Sequence, residues 1–138
     1  MLTTITWENA YYLTSSQIKN LEFYALEVSF LNKMMEDYFG KMLKQEKLPE
    51  IRRAMNDLHD LNRKRRSISE AVKNHQKDLV LLREKIFDDS NHWFLEQDEK
   101  LDQELTDFYS SYQSAKSEIY TLVEHVLHSQ KLNKMILS

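Results

Sequence analysis

The sequence has one glycine, Gly40, and one proline, Pro49, nine positions apart. A sheet protein of ordinary size turns its chain many times, and those turns draw on glycine and proline for backbone angles that other residues resist. With one of each, 138 residues have to run as long helices with few connections. That length is one domain by ordinary size, residues 1–138, and is enough to bury a core.

Hydrophobic periodicity traces three such helices. In the first, Trp7, Tyr11, Thr14, Ile18, Leu21, Ala25, Val28, Asn32, Met35, Phe39 and Met42 alternate spacings of four and three, a heptad seam turned toward neighbouring helices. The second seam is Ile51, Ala54, Leu58, Leu61, Arg65, Ile68, Val72, His75, Leu79, Leu82 and Ile86. The third is Phe94, Asp98, Leu101, Leu105, Phe108, Tyr112, Ala115, Ile119, Leu122, Val126 and Ser129. Helices over about 6–44, 49–86 and 91–130 follow, close in length and joined by short loops, so the expected fold is an all-α, up-down-up antiparallel three-helix bundle of coiled-coil type.

Local signals refine the ends. Thr6 is a candidate N-cap, Pro49 suits the first turn of the second helix, and Asp88-Asp89-Ser90-Asn91 breaks the pattern and supplies N-cap candidates for the third. Thr14-Ser15-Ser16 places three poor helix formers in a row, so the residues before them are either helix or an extended arm. With these turns, residue i of the second helix faces about residue 179 − i of the third and 93 − i of the first. Trp7 and Trp93 then fall at one end with Phe87 and Phe94 as an aromatic plug. The tail from Lys131 to Ser138 overhangs the other end, either folding across it or offered to something else.

Charge separates along the chain. Pro49 to Ile86 carries ten Lys and Arg against six Asp and Glu, whereas Phe87 to Gln130 carries two against ten, so the second and third helices attract one another. The overall charge of −3 points to neither a nucleic-acid binder nor a membrane-surface protein. No run approaches the ~20 apolar residues of a membrane span. The first residues lack the basic and apolar regions of a signal peptide, and a soluble, cytoplasmic protein is expected. The absence of cysteine removes disulfides and thiolate metal sites.

Few constellations suggest chemistry. Arg63-Lys64-Arg65-Arg66 forms a basic run that, in this register, lies across from Tyr112 to Lys116, with Glu27 as the acid best placed to balance it. Such a run can hold phosphate or a nucleic-acid backbone, or it can be a solvated face whose Arg65 fixes helix register. His125 and His128 share a face with Glu124, but a zinc site needs three or four convergent ligands and His59, the nearest further candidate, is out of level. His75 reads as a hydrogen-bonded core histidine. The carboxylates Asp98, Glu99, Asp102 and Glu104 have ordinary helix-surface spacing, no serine has His and Asp partners, and no glycine-rich phosphate loop exists. No enzymatic activity, cofactor or metal is expected.

The outer side of the first helix is the remaining feature. Between Leu21 and Leu43 apolar side chains fall on nearly every face, and a helix apolar all round is a buried helix. With Ile18, Leu21, Ala25 and Val28 inward, Phe23, Leu26, Phe30 and Met34 form a second stripe, flanked by Tyr24, Leu31 and Tyr38. Three helices cannot cover both sides. Either the stripe is a partner surface, or the helix turns a broad face inward while Asn32 and Thr14 look out.

At Phe94-Leu95-Glu96-Gln97-Asp98-Glu99 and at Glu118-Ile119-Tyr120-Thr121-Leu122-Val123-Glu124-His125-Val126-Leu127 the chain resembles small uncharacterised all-helical bacterial proteins. The resemblance implies a helical layout for nearly the whole chain and supplies no catalytic or binding residue. In outline the bundle is also similar to a spectrin-type repeat, an analogy of architecture alone. The expected role is therefore a non-enzymatic interaction module. It would self-associate, as a dimer first of all, or dock a partner helix through Phe23, Leu26, Phe30 and Met34. The alternative is anion or nucleic-acid-backbone binding through Arg63, Lys64, Arg65 and Arg66.

Overall fold

A computed structural model describes the backbone of residues 4–44, 47–84 and 88–137, and the side chains of 8–44, 47–81 and 96–129. Three helices account for nearly all of it: α1 (Thr4–Leu43), α2 (Leu48–Glu84) and α3 (Asp88–Leu137). They pack against one another as an all-α three-helix bundle, and no strand occurs among the described residues. No helix of the described residues is long and apolar enough to cross a membrane.

The helix ends depart from expectation in informative ways. α1 starts at Thr4, so Thr6 lies inside its first turn instead of capping it. Asp88-Asp89-Ser90-Asn91 opens α3 and is not a loop. Pro49 is the second residue of α2, where its missing N–H is no loss. The tail continues α3 as helix to Leu137. Phe87, and the side chains of Trp7, Trp93 and Phe94, lie outside the described residues.

With α2 ending at Glu84 and α3 starting at Asp88, the pairing of α2 and α3 differs from the expected one. Arg53 meets Glu118, eight residues short of the expected level, and His75 meets Asp98, six residues short. From 53 to 75 along α2 the partner falls from 118 to 98 along α3, so these helices run antiparallel. Against α1, Tyr24 meets Phe108 and Glu27 meets Tyr112, so α1 and α3 run in the same direction.

The chain divides into two compact units, and each helix contributes to both: Met1–Ala25 with Arg63–Tyr109, and Leu26–Asn62 with Ser110–Ser138. The core of the first holds Leu21 from α1, Ile68, Val72 and Leu79 from α2, and Leu101, Leu105 and Phe108 from α3. It also buries three polar residues, Thr14, Gln17 and His75. Thr14 Oγ1 donates to the Tyr11 carbonyl at 2.8 Å, while the Gln76 carboxamide donates to Thr14 Oγ1 at 3.1 Å and to Ser15 Oγ at 2.8 Å. These bonds explain why α1 runs unbroken through Thr14-Ser15-Ser16. Hydroxyl groups that would compete with the helix are satisfied by it and by α2 instead. His75 Nε2 stands 3.5 Å from Asp98 Oδ1.

The second unit is more apolar inside. Val28, Leu31, Met35 and Met42 from α1 meet Ile51, Ala54, Leu58 and Leu61 from α2 and Ala115, Ile119, Leu122, Val123 and Val126 from α3. Each fully buried aliphatic side chain stabilises by about 1.5–3 kcal/mol relative to an exposed one. Its polar bonds lie at the edge. Tyr112, a seam residue 2% exposed, turns its hydroxyl to Glu27 Oε2 at 2.5 Å, and Arg53 Nε donates to Glu118 Oε1 at 2.8 Å.

Along α1 one seam column is as read from the sequence: Thr14, Leu21, Val28, Met35 and Met42 are all buried. The second is shifted by one residue. Gln17 and Leu31 are buried and Tyr24 and Tyr38 half-buried, whereas Asn32 and Phe39 are exposed. Neighbouring columns differ by about 100° around a helix, so this shift rotates the buried face. Ile18 and Ala25 stay half-buried, which makes that face broad. Thr14 faces inward and Asn32 outward.

Candidate interaction face of α1

The shifted column decides which apolar side chains the fold leaves uncovered. Leu31 is 0% exposed and belongs to the core. Tyr24 and Tyr38 occupy the same inward column and are half-buried, and Met34 is half-buried beside it. Leu21 and Leu31 are inside because they flank the α1 axis on its inward side. Phe23, Leu26 and Phe30 stand on the opposite side, 54%, 72% and 54% exposed. Of the seven residues read from the sequence as a partner surface, these three present themselves to solvent.

Their spacing is i, i+3, i+7, which aligns the three on one stripe of a helix. The stripe extends to Lys19 and Lys33 at the same alternation of four and three, so two exposed lysines bracket the apolar triad. An apolar anchor set of this spacing is the form in which a helix is recognised by a groove or by another helix. Further along α1, Tyr12 is 71% and Leu13 46% exposed. Solitary exposed apolar residues are ordinary, but a stripe is a different matter.

Phe23 is tied to the interior of the first unit. Its ring meets that of Tyr24 edge-on at 5.6 Å between centroids, and Tyr24 in turn meets Phe108 edge-on at 5.6 Å and Tyr109 at 5.0 Å. Burial, the neighbouring Tyr24 and, last, Asp102 push the Tyr109 hydroxyl above the ordinary tyrosine value, against the opposing hydrogen bond with Asn20. In the second unit Lys41 stands 5.5 Å from the centroid of Tyr38, capping the far end of that column with a cation over a ring.

The basic run is less uniform than its sequence suggests. Arg63, Lys64 and Arg66 are exposed, while Arg65 is half-buried in the α2 seam. Burial and the adjacent Arg66 lower its pKa. Glu27, read as the acid nearest this run, receives the Tyr112 hydroxyl. His59, His125 and His128 are exposed, and among the described residues no group of three or more His, Asp and Glu side chains could hold a metal ion. An open groove on α3 is lined by Gln113, Lys116, Ser117, Tyr120, Thr121 and Glu124, with Lys116 between the rings of Tyr112 and Tyr120. All six residues come from one helix, so the groove has no facing wall.

One contact between α2 and α3 has no signal in the sequence pattern. Asp57 on α2 stands against Glu118 on α3, whose other contact is Arg53. Burial first, then the charge of Glu118 and a hydrogen bond to it, hold the Asp57 carboxyl above the usual range. The residues are 61 positions apart, and only the true register of α2 on α3 brings them together. Comparison with protein-family models, with curated proteins and with solved structures finds no match for this chain.

Proposed function

We propose that this chain is a non-enzymatic interaction module whose outer α1 face is covered by a helix, supplied by a second copy or by another protein. The observation that carries the reading is the stripe of Phe23, Leu26 and Phe30, more than half exposed on the side of α1 opposite its seam. Leaving three large apolar groups aligned in water is unfavourable by roughly 25 cal/mol per Å² of apolar surface, and covering them recovers that free energy. The test is the triple variant Phe23→Glu, Leu26→Glu, Phe30→Glu, compared with the wild type by light scattering and far-ultraviolet circular dichroism. The expected result is unchanged helicity with loss of assembly. An identical assembly state in both proteins, with helicity kept, overturns the reading.

A second reading rests on the exposure of Arg63, Lys64 and Arg66, an anion or nucleic-acid-backbone site on α2. Its test is binding to generic DNA or RNA that weakens as salt rises. No binding at low salt removes it.

A further inference from the structure

Resting on the reading of α1 as an interaction face, we infer that its occupant is a second copy of this chain, paired antiparallel through the same face in one particular register. The argument is one of complementarity along a single continuous helix, α1 (Thr4–Leu43). Its outward positions are Tyr12, Ser16, Lys19, Phe23, Leu26, Phe30, Lys33 and Asp37, every one of them exposed. They alternate in steps of four and three, which is the spacing a two-helix seam requires.

A two-fold axis makes each contact occur twice, so the face must complement itself. Parallel pairing fails at once, because it sets Lys19 on Lys19, Lys33 on Lys33 and Asp37 on Asp37 of the second copy. Antiparallel pairing leaves a choice of registers one heptad apart. In the register that sets Phe30 on Leu26 of the second copy, the flanks bring Glu22 against Glu36 and Glu27 against Glu27. Like charges face each other there as well.

The adjacent register, with Phe23 on Leu26 of the second copy, has none of these conflicts. The two Phe–Leu layers sit at the axis. Lys19 lies along Phe30, where its stem packs on the ring and its ammonium meets the ring face. Lys33 meets Ser16. Asp37 meets Tyr12, a carboxylate accepting from a phenol. On the flanks Glu22 meets Ser29, Asn20 meets Glu27, and the half-buried Met34 meets Leu13. This register covers Tyr12, Leu13, Phe23, Leu26 and Phe30, five of the large apolar residues that α1 leaves exposed, and it does so without opposing two charges of one sign. The contact runs from residue 12 to residue 37 on each copy, about 38 Å of helix. The triad by itself would be a small contact, and this register enlarges it along most of α1.

The natural absence of cysteine permits a direct test by disulfide trapping. Ser16 and Lys33 are exposed and form a layer in the inferred register, while within one copy they are 17 residues apart, roughly 26 Å along the helix. Ser16→Cys and Lys33→Cys variants, each with wild-type helicity, are oxidised alone and mixed. The expected result is a disulfide-linked dimer in the mixture and none from either variant alone. A second pair, Glu22→Cys with Ser29→Cys, reads the same register from the flank and serves if the first pair disturbs the helix. Cross-linking of Ser16→Cys with itself shows parallel pairing and overturns the inference while the interaction face stands. So does a dimer by light scattering that yields no link from either pair. A wild-type monomer that the triple glutamate variant leaves unchanged overturns the inference together with the reading beneath it.

Discussion

The ring of Tyr24 lies against the ring of Tyr109, centroids 5.0 Å apart and planes tilted by 32°. Tyr109 is thereby held among aromatic neighbours, Phe108 among them, where a phenolate would be poorly solvated.

That placement gives the first unit an alkaline limit. Because the folded pKa of Tyr109 is raised, the unfolded chain releases its proton first as pH climbs past about 10. The stability contributed by the neutral phenol is complete below that pH and is lost as pH rises through the folded value. Tyr109→Phe is expected to flatten this alkaline decline while changing little at neutral pH. Urea unfolding across the alkaline range checks it. A variant whose midpoint falls with pH as steeply as the wild type contradicts the assignment.

Leu31 and Asn32 are adjacent, and the sequence pattern placed the wrong one inside. Leu31→Ala removes a fully buried side chain and is expected to destabilise by about 2–4 kcal/mol. Asn32→Ala touches solvent and should stay within about 0.5 kcal/mol of wild type. Chemical denaturation of the two variants distinguishes the columns, and equal effects would mean that α1 is rotated from the orientation described.

The same pair shows where legibility ended. Number, order and approximate extent of the helices follow from glycine and proline scarcity and from a heptad pattern that covers nearly every residue, signals that local sequence carries in full. Rotation of α1 does not, because both candidate columns are largely apolar: Ile18, Ala25 and Phe39 against Tyr24, Leu31 and Tyr38. Choosing between them depends on what α2 and α3 present, and so on a register that goes with α2 ending at Glu84 and α3 starting at Asp88. Asp88-Asp89-Ser90-Asn91 interrupts the heptad pattern and offers N-caps, and because the side chains that favour loops also favour helix starts, the pattern alone does not fix the start of α3 at Asp88. The resulting offset also hid the contact of Asp57 with Glu118. Phe23, Leu26 and Phe30 were readable because they stand opposite both candidate columns.

Gly40 lies inside α1, and a Cβ added there would meet nothing within 4 Å. Its backbone is helical, so alanine fits without strain and lowers the entropy of the unfolded chain. Gly40→Ala is expected to stabilise by about 0.5–1 kcal/mol. Thermal unfolding measures this, and a lower melting temperature would show that residues 40–43 need glycine's freedom after all.

Asp57 and Glu118 set a pH dependence of the same sign at the acid end. Burial, the charge of Glu118 and their shared hydrogen bond keep Asp57 protonated to higher pH in the folded protein than in the unfolded chain, with Arg53 opposing. The favourable contribution is complete below the ordinary aspartate value of about 4 and is lost as pH rises through the raised one. At neutral pH what remains is a like-charge contact. Asp57→Asn removes that repulsion and keeps a hydrogen-bonding group toward Glu118, while the pairing of Arg53 with Glu118 is untouched. The expected outcome is a melting temperature higher by about 1–2 °C at neutral pH, with the gain vanishing near pH 3. Glu118→Gln relieves the same repulsion but weakens the ion pair with Arg53, so its gain should be smaller. Thermal scans of both variants at the two pH values settle the point. A gain from Asp57→Asn that persists undiminished in acid would show that charge is not its cause.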